Sequence, residues 1–321
     1  MLPNLGVALQ TVTTYLSLLQ PRTISPPTIH NLVIFGDSYI DVDVVFNGGQ
    51  AWPVYAGLYG NMSMHSFARA GGSCSKALTP RPNIPAPYLM EDMIPQFAAS
   101  NLTTTLDMSK TLFTLWFGTN DVGIGNILTG DATPGVTVVD TTKCTVNAVK
   151  TLYDLGARNF LFMNMIPLHR TIFYGPNGKP WMYWTAAHDP KSWVIFMEQA
   201  TNSWNTIGEL LLKDMAKELS EAHIGILDSY ALFEDIYNNP ASYLNGTDPI
   251  SVDTAPAQCE YEVDGGPVGG ECPPIITDGA RRDSYMWWDE LHPGEQTGRV
   301  VAKEVVQSVS AGGSKWARWL S

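Results

Sequence analysis

Short apolar runs and amphipathic stretches alternate along the chain. Runs of strand length, rich in apolar and β-branched residues, lie at 31–35, 62–68, 111–117, 158–164 and 223–227, several bounded by turn-forming residues. Between them the period changes. Val146, Val149, Leu152 and Tyr153 fall on one helical face, and Gly156 stands where such a helix would end. Trp193, Met197, Ala200, Trp204, Ile207, Leu211 and Met215 form a longer stripe at i+3/i+4 spacing, which reads as core packing. A last helix at about 297–310 repeats Val301, Val305 and Val309. Strands alternating with helices predict a mostly parallel sheet with crossover connections. Five strands predict a three-layer α/β/α fold.

The pattern fails in two places. Residues 1–29 precede the first strand and read as an N-terminal extension. Within it 1–20 lean apolar, but there is no basic start and Thr11, Thr13 and Thr14 interrupt the run, so a signal segment and a plain extension stay equally open. Residues 21–29 are rich in Pro, Ser and Thr and read as a linker. The second break, about 239–287, is rich in Pro, Gly and Asp. It reads as a loop excursion from one domain spanning 30–321. No run reaches the roughly 20 apolar residues that cross a bilayer, so no membrane span is expected.

Composition then narrows the function classes. With 45% hydrophobic and 16% charged residues in 321, the chain can bury a substantial core. Its net charge of −12 speaks against nucleic acid as a partner. Cys74, Cys144, Cys259 and Cys272 lack C-x-x-C spacing, so no metal site is expected from them. Cys259 and Cys272 bracket a Gly-rich acidic stretch with little apolar surface to hold it, so a disulfide closing it is expected. Cys74 and Cys144 pair only as the remainder. Three glycosylation sequons, at Asn61, Asn101 and Asn245, lean toward secretion.

Four short blocks carry candidate chemistry. Phe35-Gly36-Asp37-Ser38-Tyr39 ends the first strand, and Ala68-Arg69-Ala70-Gly71-Gly72 the second. Phe117-Gly118-Thr119-Asn120-Asp121 ends the third, and Trp288-Asp289-Glu290-Leu291-His292-Pro293 precedes the last helix. In a parallel sheet the strands' carboxyl ends share one edge, so the first three blocks converge. Acyl transfer needs a nucleophile, a base, an orienting acid and an oxyanion hole. Ser38 is the nucleophile, His292 the base and Asp289 the acid, with Glu290 a weaker alternative. The N–H groups of Ser38 and Gly71 and the Asn120 amide are the oxyanion donors. Asp37 reads as structural, because a carboxylate beside the nucleophile opposes an oxyanion. No cofactor is required. Activity is expected to fall on acidification, as a protonated His292 accepts no proton.

This set resembles the four blocks of the SGNH or GDSL-type hydrolases, with Tyr39 where leucine often stands. The resemblance implies a flavodoxin-like fold and a serine esterase. The segments 152–160 and 288–297 resemble fungal carbohydrate esterase family 16. That implies a secreted acetylesterase acting on acetylated plant-wall oligosaccharides. A lipase of longer acyl chains is the alternative, and a carbohydrate-binding protein without catalysis is the alternative of another class. Trp287, Trp288 and Trp52 are the expected substrate surface, since aromatic faces suit sugar rings, though burial as anchors is the competing reading. His30, His65, His169, His188 and His223 have no partner pattern. The working form is expected to be a monomer.

Overall fold

The computed structural model describes residues 28–81 and 87–321; most of the expected N-terminal extension, residues 1–27, lies outside them. Six strands form one sheet in the order β2-β1-β3-β4-β5-β6. They are β1 (Asn31–Gly36), β2 (Ser63–Ser66), β3 (Thr111–Trp116), β4 (Asn159–Met163), β5 (His223–Leu227) and β6 (Ala317–Trp319). The first five run parallel, and the order 2-1-3-4-5 is that of flavodoxin-like sheets. The longer helices are α1 (Trp52–Gly60), α2 (Ile94–Ala99), α3 (Val138–Asp154), α4 (Pro190–Glu218), α5 (Ser229–Asn238) and α6 (Glu295–Ser308).

The central strands read as near-continuous apolar runs because helices cover both faces. Side chains alternate across a strand, so Phe113 and Trp116 point opposite ways. Phe113 meets Phe97 of α2, while Trp116 meets Trp52 of α1 and Phe233 of α5, each edge to face. Crossovers from β1 to β2 and from β3 to β4 proceed in opposite directions along the sheet. Right-handed connection therefore sends α1 and α3 to opposite faces. Of the predicted stripe on α4, Met197, Ala200 and Trp204 are buried in the core and Trp193, Leu211 and Met215 pack half-buried against it, with Trp204 stacked on Phe162 at 5.5 Å. Gly156 has φ +104°, the left-handed conformation that ends α3.

The sheet has six strands where five were expected. β6 pairs antiparallel with β5 and is three residues long, too short to leave a pattern. Trp319 holds it there, its ring over Gly225 and its indole N–H donating to Ser308 O at 3.0 Å. Segment 239–287 contains only single turns of helix and isolated bridges, as its composition predicts. Both disulfides are present, Cys74–Cys144 and Cys259–Cys272. The first ties the glycine-rich loop after β2 to α3. The asparagines of all three sequons are exposed.

The disulfides span 70 and 13 residues. Chain entropy assigns about 4 kcal/mol to the first and about 3 kcal/mol to the second. Replacing Cys74 and Cys144 by serine is therefore expected to lower the urea midpoint more than replacing Cys259 and Cys272. The reverse order would show that the short loop contributes more than its length implies.

Candidate active site

Ser38 sits two residues beyond the end of β1, next to the boundary with β3 where the strand order reverses. A tight turn presents it. Ile40 N and Asp41 N both donate to Asp37 O, and Tyr39 N donates to the Asp37 carboxylate at 3.0 Å. Asp37 is thus structural, as expected. Asp41 is also buried and accepts from Ala70 N at 2.7 Å, which fixes the serine turn against the glycine loop after β2.

The loop before α6 delivers the other partners. Asp289 Oδ1 accepts from Leu291 N at 2.8 Å and His292 N at 2.7 Å. That self-closing turn places the imidazole beside its own carboxylate. His292 Nδ1 lies 3.0 and 2.9 Å from the two Asp289 oxygens, so it carries the proton and donates. His292 Nε2 is then free to accept from Ser38 Oγ, 2.9 Å away. Asp289 and His292 are buried and Ser38 is half-buried. The pull of His292 and the donors around it hold the Asp289 carboxyl below its ordinary value against the cost of burial. Glu290, the weaker alternative, points away, accepting from Cys259 N.

Among the described residues, neither Ser38 N–H nor Gly71 N–H has an acceptor. Gly71 has φ +75°, a conformation that favours glycine. Asn120 Nδ2 donates one hydrogen to Gly72 O at 3.0 Å, which pins the amide and leaves its second hydrogen unused. Ser38, Gly71, Asn120 and His292 all line one cavity of about 670 Å3. Its walls are mainly apolar and aromatic, with Phe46, Ile124, Tyr174, Tyr183, Trp184 and Leu291. The arrangement sets a hydroxyl against an imidazole nitrogen and brings both, with Gly71 and Asn120, to the wall of one cavity.

The expected tryptophan surface is corrected. Trp52 and Trp287 are core residues, and neither lines the cavity. Trp52 packs against Trp116, and Trp287 packs against Phe233 and donates to Val252 O. Trp288 is half-buried against Gly48 and also lies outside the lining. The aromatic wall comes from other residues, which periodicity does not single out. Phe46 stacks on the His292 ring at 4.7 Å. Arg81 bridges two loops, donating to Gly71 O at 3.3 Å and Ile124 O at 3.2 Å. None of the other histidines lines the cavity.

A family model for GDSL-like lipase/acylhydrolase matches residues 32–305. The chain belongs to that family. As a member it is a carboxylic ester hydrolase, which sets aside the reading as a binding protein without catalysis. An acetylesterase of Hypocrea jecorina is 26% identical over 333 residues, covering 90% of this chain and 92% of its own. An acetylesterase of Thermothelomyces thermophilus is 23% identical over 248 residues, covering 76% and 68%. Among solved structures, a catalytic mutant of an acetylxylan esterase from Geobacillus stearothermophilus gives a TM-score of 0.46 at 12% identity, covering 91% and 99%.

Three buried carboxyls around this site titrate far from their ordinary range. Burial pushes Asp37 up to about 7, Asp121 up to about 6 and Glu290 up to about 7. The unfolded chain releases these protons near the ordinary values of 3.8 for Asp and 4.5 for Glu. Between the two ranges the folded chain binds more protons, so their contribution falls as pH rises through that window. Thermal unfolding is therefore expected at a higher temperature at about pH 5 than at about pH 8. Asp121→Asn should flatten the difference. A midpoint that climbs with pH across this window would contradict the assignment.

Proposed function

We propose that this protein is a secreted serine esterase that removes short acyl groups, acetyl above all, from plant-wall oligosaccharides. The observation that carries the reading is the unbroken chain from Ser38 Oγ through His292 to Asp289 at the wall of the cavity. Ser38 attacks the ester carbonyl as His292 Nε2 takes its proton. The carbonyl oxygen becomes an oxyanion beside Ser38 N–H, Gly71 N–H and the Asn120 amide. When the intermediate collapses, the acyl–oxygen bond to the sugar breaks and His292 gives the proton to the departing sugar oxygen, leaving an acyl-Ser38 ester. Water then attacks that ester, again with His292 as base, and as the bond to Ser38 breaks His292 returns the proton to Ser38 Oγ and the carboxylic acid is released.

Relatives named acetylesterase align along most of the chain. The cavity of about 670 Å3 exceeds what an acetyl group fills, and its aromatic wall suits sugar rings. The same wall also fits a longer acyl chain, which keeps the lipase reading in the test. Secretion is supported by two disulfides, which persist in oxidising compartments, and by the exposed sequon asparagines. The structure of residues 30–321 is read as one domain.

Ser38→Ala is expected to abolish ester turnover, and Asn120→Ala to lower kcat about a hundredfold. Both are read with p-nitrophenyl acetate, where retained turnover in Ser38→Ala would end the mechanism. Acetate release from acetylated xylo-oligosaccharides is compared with a p-nitrophenyl ester series of rising chain length. A rate that peaks at long chains would favour the lipase.

A further inference from the structure

We infer that Tyr183 is a positioning residue of the Asp289–His292 pair and that the disulfide-closed loop 259–272 holds it in place. The inference rests on the proposed roles of Ser38, His292 and Asp289. Tyr183 lies at the corner of a tight turn. Trp181 and Trp184 exchange backbone hydrogen bonds of 3.1 and 3.0 Å, leaving Met182 and Tyr183 at the tip. Met182 is exposed to solvent. The Tyr183 hydroxyl turns inward and donates to Asp289 Oδ2 at 2.8 Å. Its oxygen lies 3.2 Å from His292 Nδ1, and its ring meets the imidazole at 5.4 Å and 65°.

The two oxygens of Asp289 are not served alike. Oδ1 accepts two backbone N–H groups as well as the imidazole. Among the described residues Oδ2 accepts only from the imidazole and the phenol. The phenol therefore adds to the backbone N–H groups in fixing the rotation of the carboxylate about its Cβ–Cγ bond and draws off part of its charge. Burial and the neighbouring carboxylate push the phenol's own titration upward, so it stays a donor wherever the carboxylate is ionised.

The turn is braced from outside. Tyr261 N donates to Pro180 O and Asp264 N to Thr185 O, both at 3.0 Å. Lys179 Nζ pairs with Glu260 Oε2 at 2.6 Å. Both limbs of the turn are thus fastened to the loop that Cys259–Cys272 closes. Cys259 N also donates to the Glu290 carboxyl, and Phe173 N to Glu290 O at 2.7 Å. Phe173 in turn packs edge-on against the Tyr183 ring at 6.2 Å. Loop, turn and catalytic segment close a circuit around the pair.

Removing the phenolic hydroxyl returns charge to the carboxylate, which then holds a proton on His292 more tightly. The other titratable groups facing the pair are Asp37 and Tyr39 from the serine turn and Glu290 from the catalytic loop. Tyr183→Phe leaves them in place. In the full chain with intact disulfides, Tyr183→Phe is expected to lower kcat about tenfold. KM should change little, because the ring remains in the cavity wall. The acid limb of kcat/KM should move to higher pH. In an Asp289→Asn background the same substitution should cost little, since there is no carboxylate left for it to act on. An acid limb that stays put, with or without a loss of rate, overturns the inference, as does a full additive loss in Asp289→Asn. If Ser38→Ala keeps its turnover, the catalytic reading falls and takes this inference with it. A dead Ser38→Ala beside a silent Tyr183→Phe overturns the inference alone.

Discussion

A buried carboxylate is expensive unless donors surround it, and Asp289 is the place where this fold meets that cost most completely. Two backbone N–H groups from its own loop, the imidazole of His292 and the hydroxyl of Tyr183 converge on its two oxygens. The same bonds do two things. They fold the residues before α6 into a closed turn, and they aim His292 Nε2 at Ser38. An apolar residue at this position would leave two buried N–H groups unpaired and the imidazole free to turn. Local structure and chemistry therefore depend on the same atoms.

The other carboxyls near the site show the contrasting case. Asp37, Asp121 and Glu290 are as buried as Asp289 but lack an equivalent set of donors. Asp121 Oδ1 accepts from Cys74 N at 2.9 Å, while among the described residues its Oδ2 and Glu290 Oε2 have no partner. Desolvation wins for these three and pushes their titration up, whereas at Asp289 the donors and the imidazole win. Asp37 and Asp121 stand next to Ser38 and Asn120 in sequence, so under the proposed mechanism protons on them would reduce the negative charge near a developing oxyanion, and the guanidinium of Arg81, held between Gly71 O and Ile124 O, would act in the same direction.

Residues whose placement is set by local chain geometry were legible in the sequence. Ser38, Gly71 and Asn120 follow strands whose parallel pairing brings their carboxyl ends to one edge, and Asp289 reaches His292 across a single turn. The sheet core and the stripe on α4 were legible because burial imposes a period. The Cys259–Cys272 bridge was legible because its loop has too little apolar surface to hold itself. Tyr183, Phe46 and Arg81 were not, because their roles depend on where separate loops meet, and a loop carries no periodic signal. The tryptophans failed for a related reason. An indole serves equally as a core anchor or a sugar platform, and only packing decides. Here Trp116 and Phe233 bury Trp52 and Trp287, and the aromatic wall passes to residues that sequence pattern left unmarked.

The irregular segment 239–287 gains a role from this. Its composition gives it no core of its own, so it borrows order from a disulfide, from Glu290 and from the turn around Tyr183. Order borrowed through hydrogen bonds is mutual, because each bond restrains both ends. The segment therefore restrains the residues next to the imidazole. Any change that moves residues 260–264 acts on the turn bearing Tyr183. Variation in the loop then changes two things together, the shape of the cavity wall and the orientation of the Asp289 carboxylate.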